Sequence, residues 1–229
     1  MEHTTALVSG GKDSIYAAYL AESQGWPVHE LLTLEPDDPD SWMFHTPNLD
    51  LVRLQAQAWG KAHRAVRVPP GDSEAETSML ERALDSGERG PIAVGAIASS
   101  FQWSRVIRAA SRVGRRVYAP LWRVDARRVV AEEIAVGLDI RIAQVAAEPL
   151  PEAWLGRRLD LAWLEDIERR AREVRSVNVA GEGGEYETVV LDAPFFRQRI
   201  VVDRVDIVPR GGASRWAIRA AHLESKPAG

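Results

Sequence analysis

The chain has 229 residues, no cysteine and a formal net charge of −4. It therefore has no disulfide, no cysteine-ligated metal cluster and no thiolate catalysis, and its charge argues against a general nucleic-acid binder. With 45% hydrophobic residues, no signal peptide and no apolar run long enough to span a membrane, it reads as a globular chain with the cytoplasm as its expected compartment.

The first element is a short apolar strand from residue 4 through Val8, closed by Ser9-Gly10-Gly11-Lys12-Asp13-Ser14 and followed by a helix from Ile15. Paired glycines let main-chain N–H groups approach a ligand, and a helix start directs its unpaired N–H groups at the same point, which makes an anion site. Lys12 adds a mobile positive charge, and Ser9 and Ser14 add hydroxyls. Asp13 is out of place in a pure anion cradle, which suggests a bound metal ion or an orienting role.

A second strand is expected at 26–34, then an acidic, proline-rich loop running into Met43-Phe44-His45-Thr46-Pro47-Asn48. The spacing predicts a helix over 49–61, a strand over 65–69 and a helix over 73–86 capped by Asp72 or Ser73. An apolar run at 92–97 reads as a buried parallel strand, Ser99 or Ser100 as the cap of a helix reaching Val113, and 117–122 as another strand. The expected fold class is thus α/β: an N-terminal, doubly wound, mostly parallel sheet over 1–123, with ligands at its strand carboxyl ends. A smaller α+β domain is expected over 124–229. It holds a helix at 126–136, a strand at 138–145, a charged helix at 159–174, and strand-like runs at 188–191, 199–208 and 216–218.

Gly181-Glu182-Gly183-Gly184-Glu185-Tyr186-Glu187-Thr188 places three carboxylates among glycines. Like charges repel, so such a run needs a ligand, a metal or a cationic partner to offset it. Tyr186 beside them suits a quaternary ammonium through cation–π attraction.

The run Ser9–Ser14 lacks the first glycine of the ordinary P-loop and resembles the PP-loop of ATP pyrophosphatases. Together with residues 43–48, Gly95–Ser99 with Gln102 and Arg105, Pro120-Leu121-Trp122, Leu155-Gly156-Arg157 and the glutamate-rich run continuing to Phe196, the chain resembles the diphthine–ammonia ligases, or diphthamide synthetases. The resemblance implies that ATP adenylates the carboxylate of diphthine on translation elongation factor two and that ammonium then gives the amide, with AMP and pyrophosphate released. It implies Ser9, Gly10, Gly11, Lys12, Asp13, Ser14, Gly95, Ser99, Gln102 and Arg105 at the nucleotide, with Mg²⁺ at Asp13. Lys12, Asp13, Glu182, Glu185 and Glu187 would be catalytic, and His45, Asn48, Trp122 and Tyr186 would touch substrate.

One segment departs from the family's usual Tyr-Gln-Arg-x-Arg: here it is Phe101-Gln102-Trp103-Ser104-Arg105. The lost charge would come from Arg108 or Arg123. The departure keeps open an alternative, a PP-loop adenylating ligase for a different carboxylate. A nucleotide-binding module without catalysis is a third reading. Homo-oligomerisation is left open.

Overall fold

Five short strands form one parallel sheet. The computed structural model describes residues 2–37, 48–146, 150–174 and 177–227. Within them β1 (Thr4–Leu7), β2 (Val28–Pro36), β3 (Ala62–Val68), β4 (Ile92–Val94) and β5 (Val117–Tyr118) pair in the order β3-β2-β1-β4-β5. Helices α1 (Lys12–Ser23), α2 (Asp50–Trp59), α3 (Ser73–Asp85) and α4 (Ser100–Arg112) occupy the connections. Strand order reverses between β1 and β4, the switch point of a doubly wound sheet, so the α/β expectation is met. Leu32 and Leu34 of β2, Ile92 and Val94 of β4, Leu80 and Leu84 of α3, and Val106 and Ala109 of α4 form its core.

The sheet's right-hand strands are shorter than the apolar runs that encode them. The β4–β5 ladder holds only Ile92 opposite Val117 and Ala93 opposite Tyr118. Beyond it, the Ile97 carbonyl accepts the Arg123 N–H at 2.7 Å. Residues 95–99 and 119–123 are therefore loops at the strand carboxyl ends. Of the alternative caps, Asp72 serves α3, accepting from the Glu74 and Ala75 N–H groups, and Ser99 serves α4.

A second, antiparallel sheet is built from β6 (Asp139–Ala146), β7 (Tyr186–Asp192), β8 (Gln198–Arg210) and β9 (Ala213–Ser225), in the order β7-β6-β9-β8. It comes with α5 (Ala126–Ala135), a 3-10 turn at Glu152–Trp154 and α6 (Leu161–Glu173). β8 and β9 form one long hairpin turning at Gly211 and Gly212, whose φ angles of 52° and 85° suit glycine. β7 starts at Tyr186, two residues before the expected strand, so Tyr186 and Glu187 belong to the sheet and not to the glycine-rich turn.

The chain divides into two units. The first comprises residues 1–9, 13–52 and 61–123, and the second residues 10–12, 53–60 and 124–229. The second unit thus takes two short segments from the N-terminal half, which no composition shift announces. No helix among the described residues is long and apolar enough to cross a membrane.

In the first unit, buried Arg115 acts as an internal staple. Its guanidinium donates to the carbonyls of Gly90 (2.7 Å), Leu84 (3.1 Å) and Pro91 (3.3 Å) and to Thr5 Oγ1 (2.8 Å). It thereby joins the end of α3, the entry to β4, and β1. Burial lowers its pKa from the ordinary arginine value. Arg115→Met should destabilise the protein by on the order of 3 kcal/mol, because it leaves several buried acceptors unmet. Arg115→Lys should recover only part of this, since an ammonium cannot reproduce the planar fork. Thermal denaturation of both variants checks the expectation.

Candidate functional site

In the first unit, β1 and β4 end side by side, with Leu7 opposite Val94. The Ser9 N–H donates to Ser14 Oγ at 3.3 Å. A Cβ on Gly95 would lie 2.6 Å from the Asp13 carbonyl and 2.7 Å from the Ser14 nitrogen. Only glycine lets the start of α1 pack so closely on the end of β4. Ser9, Asp13, Ser14 and Gly95 are thus brought to the switch point.

Ser99 follows in the same loop and accepts the Gln102 N–H at 3.3 Å. Arg105 is turned elsewhere: it stands 3.4 Å over the Phe101 ring and donates to Ser73 Oγ at 2.9 Å. Arg108 grips both oxygens of Glu74 at 2.8 Å. Arg123 is exposed, with its guanidinium 5.8 Å from the Trp122 ring and φ at 60°, an uncommon conformation for a residue other than glycine. Trp122 itself stacks on Trp103, with centroids 4.5 Å apart. Trp103 of α4 is thereby joined to an aromatic ring of the loop that follows β5.

The second unit holds the middle of the glycine loop. Gly10 has φ 84°, and its carbonyl accepts the Val190 N–H at 3.1 Å. The Gln55 side chain, 0% exposed, donates to the Gly10 carbonyl at 2.9 Å and to the Val190 carbonyl at 2.8 Å. The Lys12 N–H donates to Thr188 Oγ1 at 3.1 Å. The loop is thereby fixed to β7 by main chain and side chain together.

Lys12 is not the mobile cation its sequence suggests. Its side chain is 1% exposed, with Nζ 3.7 Å from Glu133 Oε2, and Glu133 is 0% exposed. Sequence reasoning missed Gln55 and Glu133. One signal was available: each is a polar residue on an apolar helical stripe. Gln55 shares a face with Leu51 and Ala58, and Glu133 with Val129 and Val130.

The glutamate-rich turn also lies in the second unit, and its carboxylates are not equivalent. Glu185 is 8% exposed and accepts the Asn178 and Gly183 N–H groups, each at 3.0 Å. Its charge is spent on shaping the turn. Tyr186 is 2% exposed, donates its hydroxyl to the Val179 carbonyl at 2.7 Å and packs edge-on against Trp163. Its ring is part of the core in this structure. A Cβ on Gly181 (φ 78°) would meet that ring at 3.0 Å. Glu182 and Glu187 are partly exposed, the latter on β7 opposite Gln144.

Asn48, with φ 57°, precedes α2 and accepts the Leu51 N–H. His45 lies outside the described residues. Among the described residues no group of three or more His, Asp or Glu side chains could hold a metal ion unaided.

Gln55→Leu should remove both donors from buried carbonyls and destabilise the protein by roughly 1–3 kcal/mol. It should also loosen the Gly10–Lys12 loop, because the Gly10 carbonyl loses its clamp. Thermal melting and amide hydrogen exchange of the loop read the two effects separately.

Two family models account for most of the chain: the diphthamide synthase N-terminal domain matches residues 2–117 and the diphthamide synthase C-terminal domain residues 126–222. The diphthine–ammonia ligase of Danio rerio is 32% identical over 223 residues, covering 88% of this chain and 87% of its own. That of Homo sapiens is 32% identical, covering 89% and 84% respectively. A solved structure titled as a predicted subunit of tRNA methyltransferase from Methanocaldococcus jannaschii overlays on 85% of this chain with a TM-score of 0.47 and 15% identity. With both family models matched in order and relatives aligned over nearly the full length, the chain belongs to the diphthamide synthase family of ligases.

Proposed function

We propose that this chain converts the carboxylate of a protein-borne diphthine, on translation elongation factor two, to its amide with ATP and ammonium. The observation that carries the reading is the attachment of Gly10–Lys12 to β7, the strand that leads directly out of the glutamate-rich turn. Two residues, Tyr186 and Glu187, separate Glu185 from Thr188, a rise of about 10 Å over three extended steps. A phosphate loop and an acidic turn so joined suit a substrate with an anionic end to activate and a cationic end to hold.

The residues divide the work as follows. The N–H groups around Gly10, Gly11 and Ser14, with Lys12, would hold the nucleotide phosphates, and Lys12 would offset the charge gathering on departing pyrophosphate. Asp13 is the carboxylate of that loop. It suits Mg²⁺, which takes one or two protein carboxylates and completes its shell with phosphates and water. The substrate carboxylate oxygen bonds to the α-phosphorus as the bond to the β-phosphate oxygen breaks. Ammonia then attacks the acyl carbon, loses a proton, and AMP leaves. Glu182 and Glu187 would face the cationic acceptor or the ammonium, while Glu185 keeps the turn in shape. The protein's contribution is positioning and charge, without a covalent enzyme intermediate.

A second reading keeps this chemistry but changes the carboxylate substrate. The stacked Trp103–Trp122 pair favours it, because an aromatic wall replaces a cation in that segment. One assay separates the two. The protein is incubated with ATP, Mg²⁺ and ammonium, with and without diphthine-bearing elongation factor, and AMP and the mass of the modified histidine peptide are measured. AMP with the small mass decrease of acid to amide supports the first reading, and AMP without it supports the second. No AMP at all sinks both.

The glutamates provide a further test. Glu182→Gln and Glu187→Gln should keep the wild-type melting temperature and MgATP affinity yet lose amide formation. Glu185→Gln should lower the melting temperature, since an amide NH₂ would then face an N–H donor.

A further inference from the structure

The buried face of α5 holds a carboxylate where an apolar residue belongs. Glu133 lies on the buried face of α5 with Val129 and Val130, and no water reaches it. A carboxylate so placed is costly unless a cation offsets it. The cation is Lys12, equally buried and 3.7 Å away. At that distance the contact is Coulombic and longer than a hydrogen bond. Lys12 is also fixed at its other end, where its N–H donates to Thr188.

We propose that Glu133 is a positioning residue for the phosphate loop: it holds the Lys12 ammonium in place before a nucleotide arrives. The inference rests on the reading of Lys12 as a phosphate ligand. Without Glu133, the Lys12 ammonium loses its buried counter-charge and swings from this position. An incoming polyphosphate then meets its positive charge out of place. With Glu133 present, the charge is in place in advance, and little reorganisation is needed when phosphate binds.

The test is calorimetric titration of MgATP into the full chain and three variants: Glu133→Gln, Lys12→Met and the double variant. Glu133→Gln should weaken binding by at least about tenfold, the scale set by removing one partner of a buried charge pair. In the Lys12→Met background the same change should weaken it no further, because Glu133 acts only through Lys12. Wild-type affinity in Glu133→Gln, or losses that multiply in the double variant, would overturn the proposal. Wild-type affinity in Lys12→Met would instead remove the phosphate role of Lys12, a distinct failure that takes the proposal with it.

A second measurement stands apart from nucleotide binding. The apolar pair Lys12→Met with Glu133→Met should melt above either single methionine variant, as expected when two buried charges offset one another. A double variant whose loss equals the sum of the singles would refute the pairing.

Discussion

Much of the second unit's chemistry hangs on the carbonyl of Gly10. It takes the Val190 N–H and the Gln55 amide, and that small knot fixes a glycine loop whose residues have little order of their own. Two adjacent glycines give a backbone that can approach phosphate, but the same freedom would let it wander. β7 supplies the constraint, and Gln55 seals it by bridging to the next carbonyl along. The positions of Lys12 and Thr188 follow from this anchorage.

The glutamate-rich run shows how one sequence signal can hide two roles. Three carboxylates among glycines announce a chemical purpose. Yet Glu185 is consumed by two backbone N–H groups, and Tyr186 by a carbonyl and the edge of Trp163. The glycines belong to that internal arrangement: Gly181 clears the Tyr186 ring and Gly183 clears the Glu185 carboxylate. A loop that must hold acidic groups in a set geometry cannot rely on side-chain packing, so it uses one acid as an internal acceptor to define the shape presented by the others.

What was legible in the sequence was local. The strand–glycine–helix run at Ser9–Ser14, the caps at Asp72 and Ser99, and the alternation of helix and strand follow from periodicity and turn chemistry, and the structure contains them. What was not legible depends on partners distant in the chain. Gln55 looks like an ordinary helical polar residue until it is set beside Val190, 135 positions away. Glu133 looks like part of a charged helix until Lys12 is placed against it. The strands at Ile92 and Val117 read too long because an apolar run does not state where its ladder partner ends. Trp103 could be seen as a departure, but its stacking on Trp122 could not.

The interleaving of the two units has a consequence for how the protein is made. Lys12 and the Thr188 hydroxyl that receives its N–H are 176 positions apart in the chain. At ordinary rates of translation that interval is on the order of ten seconds. Throughout it the glycine loop has none of its β7 contacts, so a nascent or truncated chain carries the nucleotide motif without its geometry. The loop gains its anchorage only once β7 has been made and has paired with it. Long-range closure of this kind makes folding slow.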